Sequence, residues 1–395
     1  MGTSFRTLLI VRCVTRLYFE NIFQQVRRSK RRIATTTFQT PVLINMKKIT
    51  VILFCTILIV LNIAFITTRK DIVFEKKEKL SDYNFFIGKL SDLQPAVNVI
   101  PYGLNTPLFN NYAEKLRFIK LPAGTKAVYN DTASFEMPVG TVLIKNFYYP
   151  FDFRKPQEGK RIMETRLMIH ETNGWSTLPY IWNDEQTEAF YDVAGENKTV
   201  NYIDASGKKI TTQYLIPNKN QCKGCHIKNE QVLPIGIAAR HLNGSYTYTA
   251  GKENQLTYWA NAGILEGLPA INSVPKNAVW NDVQTGPAEQ RARAYLDINC
   301  GHCHSNAGPA NTSGLFLDIN EKNETALGIL KTPVAAGQGS GNLQYDIVPG
   351  HPEKSILVYR ITTTDPGFAM PEIGREQIHK EGVALISEWI KNMRH

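Results

Sequence analysis

The body of this 395-residue chain lacks an excess of charge of either sign, although the whole chain carries a net charge of +10. Ten of the 45 lysines and arginines, but only one of the 35 acidic residues, fall within residues 1–48, so the remainder is almost neutral. A basic surface that binds nucleic acid is therefore not expected on the folded part. Low-complexity tracts are missing as well. A composition of 43% hydrophobic and 20% charged residues excludes a collagen-like, wholly disordered or polytopic membrane protein.

Long apolar runs are also scarce, and the one that stands out covers residues 49–68, between a Lys-Lys pair and an Arg-Lys pair. A basic segment followed by an apolar stretch is typical of an export signal, and twenty residues also suffice to span a bilayer. No small-x-small cleavage site follows, because Ala64 has bulky neighbours. We therefore predict that residues 46–70 are a signal peptide or a single-span membrane anchor, with the anchor favoured. The rest of the chain is expected on the periplasmic side of the bacterial envelope.

Residues 1–45 suit the start of an exported protein poorly, because they are basic and show no domain punctuated by glycine and proline. We interpret them as an over-long gene start, with Met46 as the true first residue. The alternative is a genuine basic arm on the cytoplasmic side, which agrees with the preference of membrane proteins for positive charge inside.

Cysteine is rare, and the four cysteines beyond residue 70 form two copies of one pattern. Both copies have the form Cys-x-x-Cys-His, the attachment motif of haem c. Two thiols at this spacing reach the two vinyl groups on one edge of a porphyrin, and the next imidazole reaches the iron. We therefore predict two covalently bound haem c groups. The predicted attachment residues are Cys222, Cys225, Cys300 and Cys303, and the predicted iron ligands are His226 and His304.

Zinc, a redox-active dithiol and structural disulfides are the alternative interpretations. The cysteine pairs of a zinc site typically lie about 15–20 residues apart, whereas residues 226–299 separate the two pairs here. Zinc also leaves the histidine after each pair unexplained. A thioredoxin-like centre needs a βαβ pattern, which the sequence does not show, and pairs this close make a poor disulfide framework. Haem c is assembled outside the bacterial cytoplasm, so the export signal agrees with the haem interpretation.

Two helices are predicted within residues 286–395. Pro287 marks the start of the first, and apolar residues then recur at helical spacing up to Cys300. Residues 377–393 form the second, with Trp389 on an apolar stripe that suits packing against the first helix.

Met370-Pro371 stands between these helices. A helix ending in the attachment motif, a later Met-Pro loop and a closing helix with tryptophan resemble a class I cytochrome c. The resemblance implies an α-helical cytochrome c domain, with His304 as the proximal and Met370 as the distal ligand of the second haem. A thioether is soft and neutral, so it favours Fe(II).

Residues 75–242 are predicted to be rich in strands. Residues 139–149 are dense in β-branched and aromatic residues, an alternating segment follows, and Asn173-Gly174 is a hairpin turn. A haem motif placed after a sheet resembles the cytochrome P460 and c′-β type. The predicted fold class is therefore α+β, with a β-rich haem domain, a linker at 243–285 and an α-helical class I cytochrome c domain.

The distal ligand of the first haem is open. No methionine lies between His226 and His304, so His170 or His241 is the candidate. Both could equally be packing residues, and a vacant position would make this haem the reactive one. His302, inside the second motif, and His379 are interpreted as polar surface residues.

Several strings across residues 80–395 together resemble a family of bacterial diheme c-type cytochromes without an assigned function. They are PLFNNYAEKLRFIKLPAG, FEMPVGTVLIKNFYYP, IPNKNQCKGCH, CGHCHSNAG and AMPEIGR. The resemblance implies two haems and export, and it supplies no substrate.

Electron transfer between redox partner proteins of the envelope is the leading hypothesis, because the sequence shows no acid/base dyad or nucleophile elbow. The alternative is a haem enzyme that acts on a small nitrogen or peroxide species, with the first haem as active site and the second as electron relay. A sugar- or polymer-binding module with redox-silent haems is a third class.

Protein that starts at Met46 should reach the periplasm and mature normally, because the export signal begins there. Export and haem content of this shorter chain should equal those of the chain that starts at Met1, as judged by cell fractionation and haem staining. Loss of export on removal of residues 1–45 would show instead that this segment is a genuine part of the protein.

Overall fold

A six-stranded antiparallel sheet dominates the first half of the described chain. The computed structural model describes residues 74–334 and 336–394. The strand order in the sheet is β3-β4-β6-β7-β8-β9, and all neighbours are antiparallel. The strands are β1 (Phe86–Ile87), β2 (Gln94–Pro95), β3 (Ile100–Tyr102), β4 (Glu114–Lys120), β5 (Ala127–Val128), β6 (Val142–Pro150), β7 (Lys160–Glu171), β8 (Gly174–Trp182), β9 (Ala189–Tyr191), β10 (Glu196–Ile203), β11 (Lys209–Ile216), β12 (Ile227–Lys228), β13 (Gln231–Val232), β14 (Ser245–Tyr248), β15 (Gly251–Asn254) and β16 (Leu265–Glu266).

Helices are concentrated in the second half of the described chain. The α-helices are α1 (Lys219–His226), α2 (Ala239–Leu242), α3 (Gln255–Asn261), α4 (Ala288–Asn299), α5 (Ile356–Ile361) and α6 (Lys380–Lys391). Short 3-10 helices cover Ser81–Tyr83, Leu90–Asp92, Pro156–Glu158, Ile271–Ser273, Val283–Thr285, Asn311–Ser313, Gly337–Ser340 and Pro352–Lys354.

The central strands are covered on both faces. Ile144 of β6 packs beside Phe118 and Leu167 on one face, while Leu143 and its neighbours Ile119 and Met168 belong to a second hydrophobic cluster on the other face. Burial on both faces explains why β6 is an almost continuous apolar run. The predicted turn at residues 173–174 joins β7 to β8, and β10 and β11 form a further antiparallel hairpin.

The two predicted helices of the C-terminal segment are α4 and α6, and they pack against each other. Tyr295 and Leu296 of α4 share one buried cluster with Leu385 and Trp389 of α6. The apolar stripe of α6 faces α4, which is the arrangement that its spacing predicts.

The predicted fold class, an N-terminal β-rich haem domain followed by an α-helical class I cytochrome c domain, is wrong. The structure is β-rich with several sheets, and no all-helical class I cytochrome c domain follows the large sheet. Among the described residues between α4 and α6, the only α-helix is the six-residue α5. The apolar periodicity correctly indicated the two terminal helices, but it carries no information about the loops between them.

Contacts across the sequence also explain why no separate helical domain forms. The described residues, 74–334 and 336–394, belong to one compact unit. Strand β16 pairs in parallel with β5, the Phe109 amide donates to Asn299 Oδ1 at 2.7 Å, and the Gln377 amide donates to Asn111 Oδ1 at 3.2 Å. The segment after the sheet is therefore bound into the same body as the sheet.

The predicted gene-start extension at 1–45 and the predicted signal or anchor at 46–70 lie outside the described residues. Within residues 74–394, no helix has the length and apolar character that a bilayer crossing requires.

A buried carboxylate, Asp297 of α4, connects three parts of the chain. Its side chain is 1% exposed. Arg240 Nε donates to Oδ2 at 2.7 Å, Asn277 Nδ2 donates to the same atom at 2.9 Å, and the Ile319 amide donates to Oδ1 at 3.1 Å. Burial alone would raise the pKa of Asp297, but Arg240 and the hydrogen bonds outweigh burial and lower it.

Replacement of Asp297 by alanine should lower the free energy of unfolding by about 3–5 kcal/mol, because it leaves Arg240, whose side chain is only 20% exposed, and the buried Asn277 amide without their partner. The matched control is Asp184→Ala, whose carboxylate is 75% exposed and pairs with Arg161. An exposed pair contributes only about 0–1 kcal/mol. Urea denaturation measures the free energy of unfolding of both variants, and an equal decrease in the two would contradict a structural role for the buried carboxylate.

Because the pKa of Asp297 is lowered in the folded protein, its contribution to the free energy of unfolding should be lost as pH falls through the acidic range.

Candidate functional site

The first attachment motif lies on α1, directly after the last strand of the β10–β11 hairpin. Asn218 caps this helix: its side chain accepts from the Gln221 amide at 2.8 Å, and Gln221 Oε1 accepts from the Asn218 amide at 2.9 Å. This reciprocal pair satisfies two amides at the helix start. The helix then presents Cys222, Cys225 and, as its last residue, His226.

A tight hairpin of β12 and β13 orients the imidazole of His226. The hairpin returns Leu233 to the helix end, where the Leu233 amide donates to the His226 carbonyl at 2.8 Å. The Leu233 carbonyl lies 2.9 Å from His226 Nδ1. A proton on Nδ1 leaves Nε2 free as a metal ligand. Burial lowers the pKa of His226 to about 4, so the imidazole is neutral near pH 7, as ligation requires.

The second attachment motif forms the turn at the C-terminus of α4. The amides of Cys300 and Gly301 donate to the Leu296 carbonyl, and the amides of Cys303 and His304 donate to the Cys300 carbonyl. A Cβ at Gly301 would lie 2.7 Å from the Asp297 carbonyl oxygen, so the tight turn requires glycine. Burial lowers the pKa of His304 to about 4, which also keeps this imidazole neutral.

The two motifs lie side by side. The Asn229 amide of the first hairpin donates to the Ala307 carbonyl of the second loop at 2.9 Å. Ligand atoms of Cys225, Cys303 and His302 all lie within 4.8 Å of one another. The prediction that His302 is a surface residue is therefore wrong, because the contact between the motifs half buries it. A hydrogen bond from Cys303, together with His302, lowers the pKa of the Cys225 thiol.

A cavity of about 570 Å³ opens beside the second motif. It is within the size range of cofactor sites. Cys300, Cys303, His304 and Met370, which are the predicted attachment and ligand residues of the second haem, all line it. Cys225 of the first motif lines the same cavity.

The residues of this cavity fit a haem. A neutral imidazole and a thioether offer one nitrogen and one sulfur ligand, which suits haem iron. Arg375 lines the cavity, is 8% exposed, and its Nη1 has no hydrogen-bond partner among the described residues. A buried arginine nitrogen without a partner is costly, and a negatively charged propionate would satisfy it.

A smaller cavity of about 60 Å³ lies beside the first motif, between α1 and the large sheet. Cys222, His226 and Met168 line it, together with Arg117 and Lys145. The donor set of the first motif suits haem c, but this space is too small for a porphyrin. A macrocycle on Cys222 and Cys225 therefore does not fit within the smaller cavity. Cys222 lines this cavity, whereas Cys225 lines the larger one.

Neither predicted distal ligand of the first haem lines this small cavity. His170 Nδ1 lies 2.8 Å from the Met137 carbonyl, and the ring stacks on Trp175. His241 is 3% exposed, and its Nε2 lies 3.4 Å from Asp297 Oδ2. These contacts explain both side chains as parts of the fold, and the distal ligand role of either residue stays a prediction.

The sequence analysis missed the roles of several site residues. The prediction that His379 is a surface residue is wrong: its side chain is 12% exposed, lines the larger cavity and stacks on Phe109 with ring centroids 4.2 Å apart. Arg117 and Lys145 lie on different strands, so strand register decides that they meet. The alternation of side chains along each strand could have assigned Arg117 and Lys145 each to one face of the sheet. It could not have shown that the two residues lie opposite each other on neighbouring strands.

A scan of protein-family models, a search of curated proteins and a search of solved structures each find no match to this chain.

In protein produced without haem attachment, mild oxidation should link Cys225 to Cys303, because these two sulfur atoms lie close together. Peptide mapping should find this link in preference to one within either motif. Cys225→Ala should abolish the link, whereas Cys222→Ala should not. A predominant Cys222–Cys225 link would contradict the arrangement of the two motifs.

Proposed function

We propose that this chain is a diheme c-type cytochrome that transfers electrons on the periplasmic side of the bacterial envelope. The observation that carries the proposal is the contact between the two Cys-x-x-Cys-His motifs, with Cys225, His302 and Cys303 within 4.8 Å of one another. Zinc explains this contact less well, because the group uses one cysteine of each pair and leaves Cys222 at the smaller cavity.

The proposed ligands of the second haem are His304 and Met370. When bound, haem supplies a one-electron change at iron, and the residues of the chain set its potential. The thioether of Met370 favours Fe(II) and so favours a high potential. The Met370 amide donates to the Arg360 carbonyl at 2.9 Å, which fixes the loop that carries the thioether at the cavity wall.

The short distance between Cys225 and Cys303 favours a function in which the two haems exchange electrons over one in which they act independently. Cys225 and Cys303 would each carry one covalent bond to a haem edge, so the two attached edges would lie next to each other. An electron could then pass between them without crossing the core of the fold. In this proposal, the external donor and acceptor are redox proteins of the envelope, and residues 46–70 would tether the chain if the signal is retained.

A haem enzyme is the second candidate, and the smaller cavity favours it. A small cavity that His226 shares with three basic side chains could admit a small anion. Two low-spin haems in the resting spectrum favour the carrier, and a high-spin ferric component favours the enzyme.

Intact mass and the haem spectrum should reveal two haems per chain. Replacing the cysteines at 222 and 225, or those at 300 and 303, by alanine should remove one haem in each case. Zinc in place of haem, or a single haem, would refute the proposal.

Met370→Leu should lower the midpoint potential of one haem and abolish its methionine-to-iron charge-transfer band, while the other haem stays unchanged. Met163→Leu is the matched control, because Met163 is fully buried and lines neither cavity. Identical spectra for Met370→Leu and the control would exclude Met370 as a ligand.

A further inference from the structure

Three basic residues stand in one row across the large sheet. Arg117 of β4 is the register partner of Lys145 of β6, which in turn is the register partner of Arg166 of β7. Residues opposite each other on neighbouring strands point to the same face. All three line the cavity of about 60 Å³ beside His226.

The row carries more positive charge than its surroundings neutralise. Glu164 is the buried carboxylate nearby, and it already accepts two hydrogen bonds from Arg166, at 2.5 and 2.6 Å, and one from Tyr214 at 2.6 Å. Lys145 lies 4.8 Å from the ring centroid of Phe147, and no carboxylate contacts it among the described residues. Like charges placed opposite each other on neighbouring strands are destabilising.

Arg117 is the most informative member of the row. It is 7% exposed, and its Nη2 has no hydrogen-bond partner among the described residues. On the same strand, Glu114 is exposed and Lys115 is basic like Arg117, so neither is a buried partner for the guanidinium. Burying a guanidinium without a partner is unfavourable, so a fold that keeps this arrangement is stabilised by a ligand that accepts its hydrogen bonds.

We propose that Arg117, Lys145 and Arg166, at the small cavity beside His226, form a binding site for anionic oxygen groups. The cavity has room for a carboxylate or a small oxyanion, and two of the cations are without a carboxylate partner in the described structure. Two sources offer this chemistry: a free small oxyanion, or a propionate that would reach in from a haem whose macrocycle lies outside this small cavity. The site does not depend on the proposed function, because the free anion needs no haem.

The first arm of the test measures thermal unfolding of the full-length protein, with and without attached haem, in sodium formate and in sodium chloride of equal ionic strength. Formate should raise the unfolding temperature in a saturable way beyond chloride. Arg117→Gln and Lys145→Met should weaken apparent formate affinity about ten- to hundredfold. Arg117→Lys should restore part of it. Arg161→Gln, on the same strand as Arg166 but outside the cavity, should behave as wild type.

The sign of the stability change separates binding from a merely structural role. In chloride, Lys145→Met should unfold at the same or a higher temperature than the wild type, because it removes a half-buried positive charge that stands between two arginines without a carboxylate partner. A structural lysine would give a lower temperature with or without formate, and that result would overturn the proposal.

The second arm uses the haem-loaded protein. If propionates occupy the site, formate should have no effect on it, and the propionate bending mode in the resonance Raman spectrum should shift in Arg117→Gln but not in Arg161→Gln. Absence of both the formate effect and the Raman shift, in protein that keeps two haems, would overturn the anion site and leave the proposed function intact. Absence of haem would refute the proposed function, while the formate arm still tests the site.

Discussion

The buried carboxylate of Asp297 is the constraint on which the arrangement of the site depends. It lies one turn before Cys300, and it holds Arg240, Asn277 and the Ile319 amide around the end of α4. Because a charge this deeply buried needs all its partners, the helix that presents the second motif has a fixed position against the segment after the first motif. The hydrogen bond between Asn229 and Ala307 then closes the contact between the two loops.

This contact gives the two motifs a common chemistry that neither has alone. Cys225 of the first motif lies next to Cys303 of the second motif, and residues of both motifs line the larger cavity. The neutral imidazoles of His226 and His304 are ready to bind metal, since burial lowers the pKa of each to about 4. In the proposed diheme cytochrome, two attached redox groups would exchange electrons across this contact, and the basic row behind the first motif would be a separate anion site.

The sequence could predict what depends on local spacing. The hairpin at 173–174, the helix before Cys300 and the closing helix with Trp389 all depend on neighbouring residues. The overall fold class was predicted wrongly, because pairing of β16 with β5 and the contacts of residues 109–112 with the C-terminal segment join residues far apart in the chain. Likewise, His302 resembles a surface residue until the first motif covers it. The row formed by Arg117 and Lys145 depends on strand register, which composition and alternation do not determine.

The central claim is that two haems are held side by side by the contact between the motifs, and electron paramagnetic resonance of the fully oxidised protein tests it most directly. The account predicts a magnetic interaction between the two ferric irons, visible as broadening or fast relaxation. The interaction should disappear when the cysteines at 222 and 225 are replaced and only the second haem remains. A spectrum that equals the sum of two isolated ferric haems would contradict the account. In that case, the signal of each haem would stay unchanged when the other haem is removed.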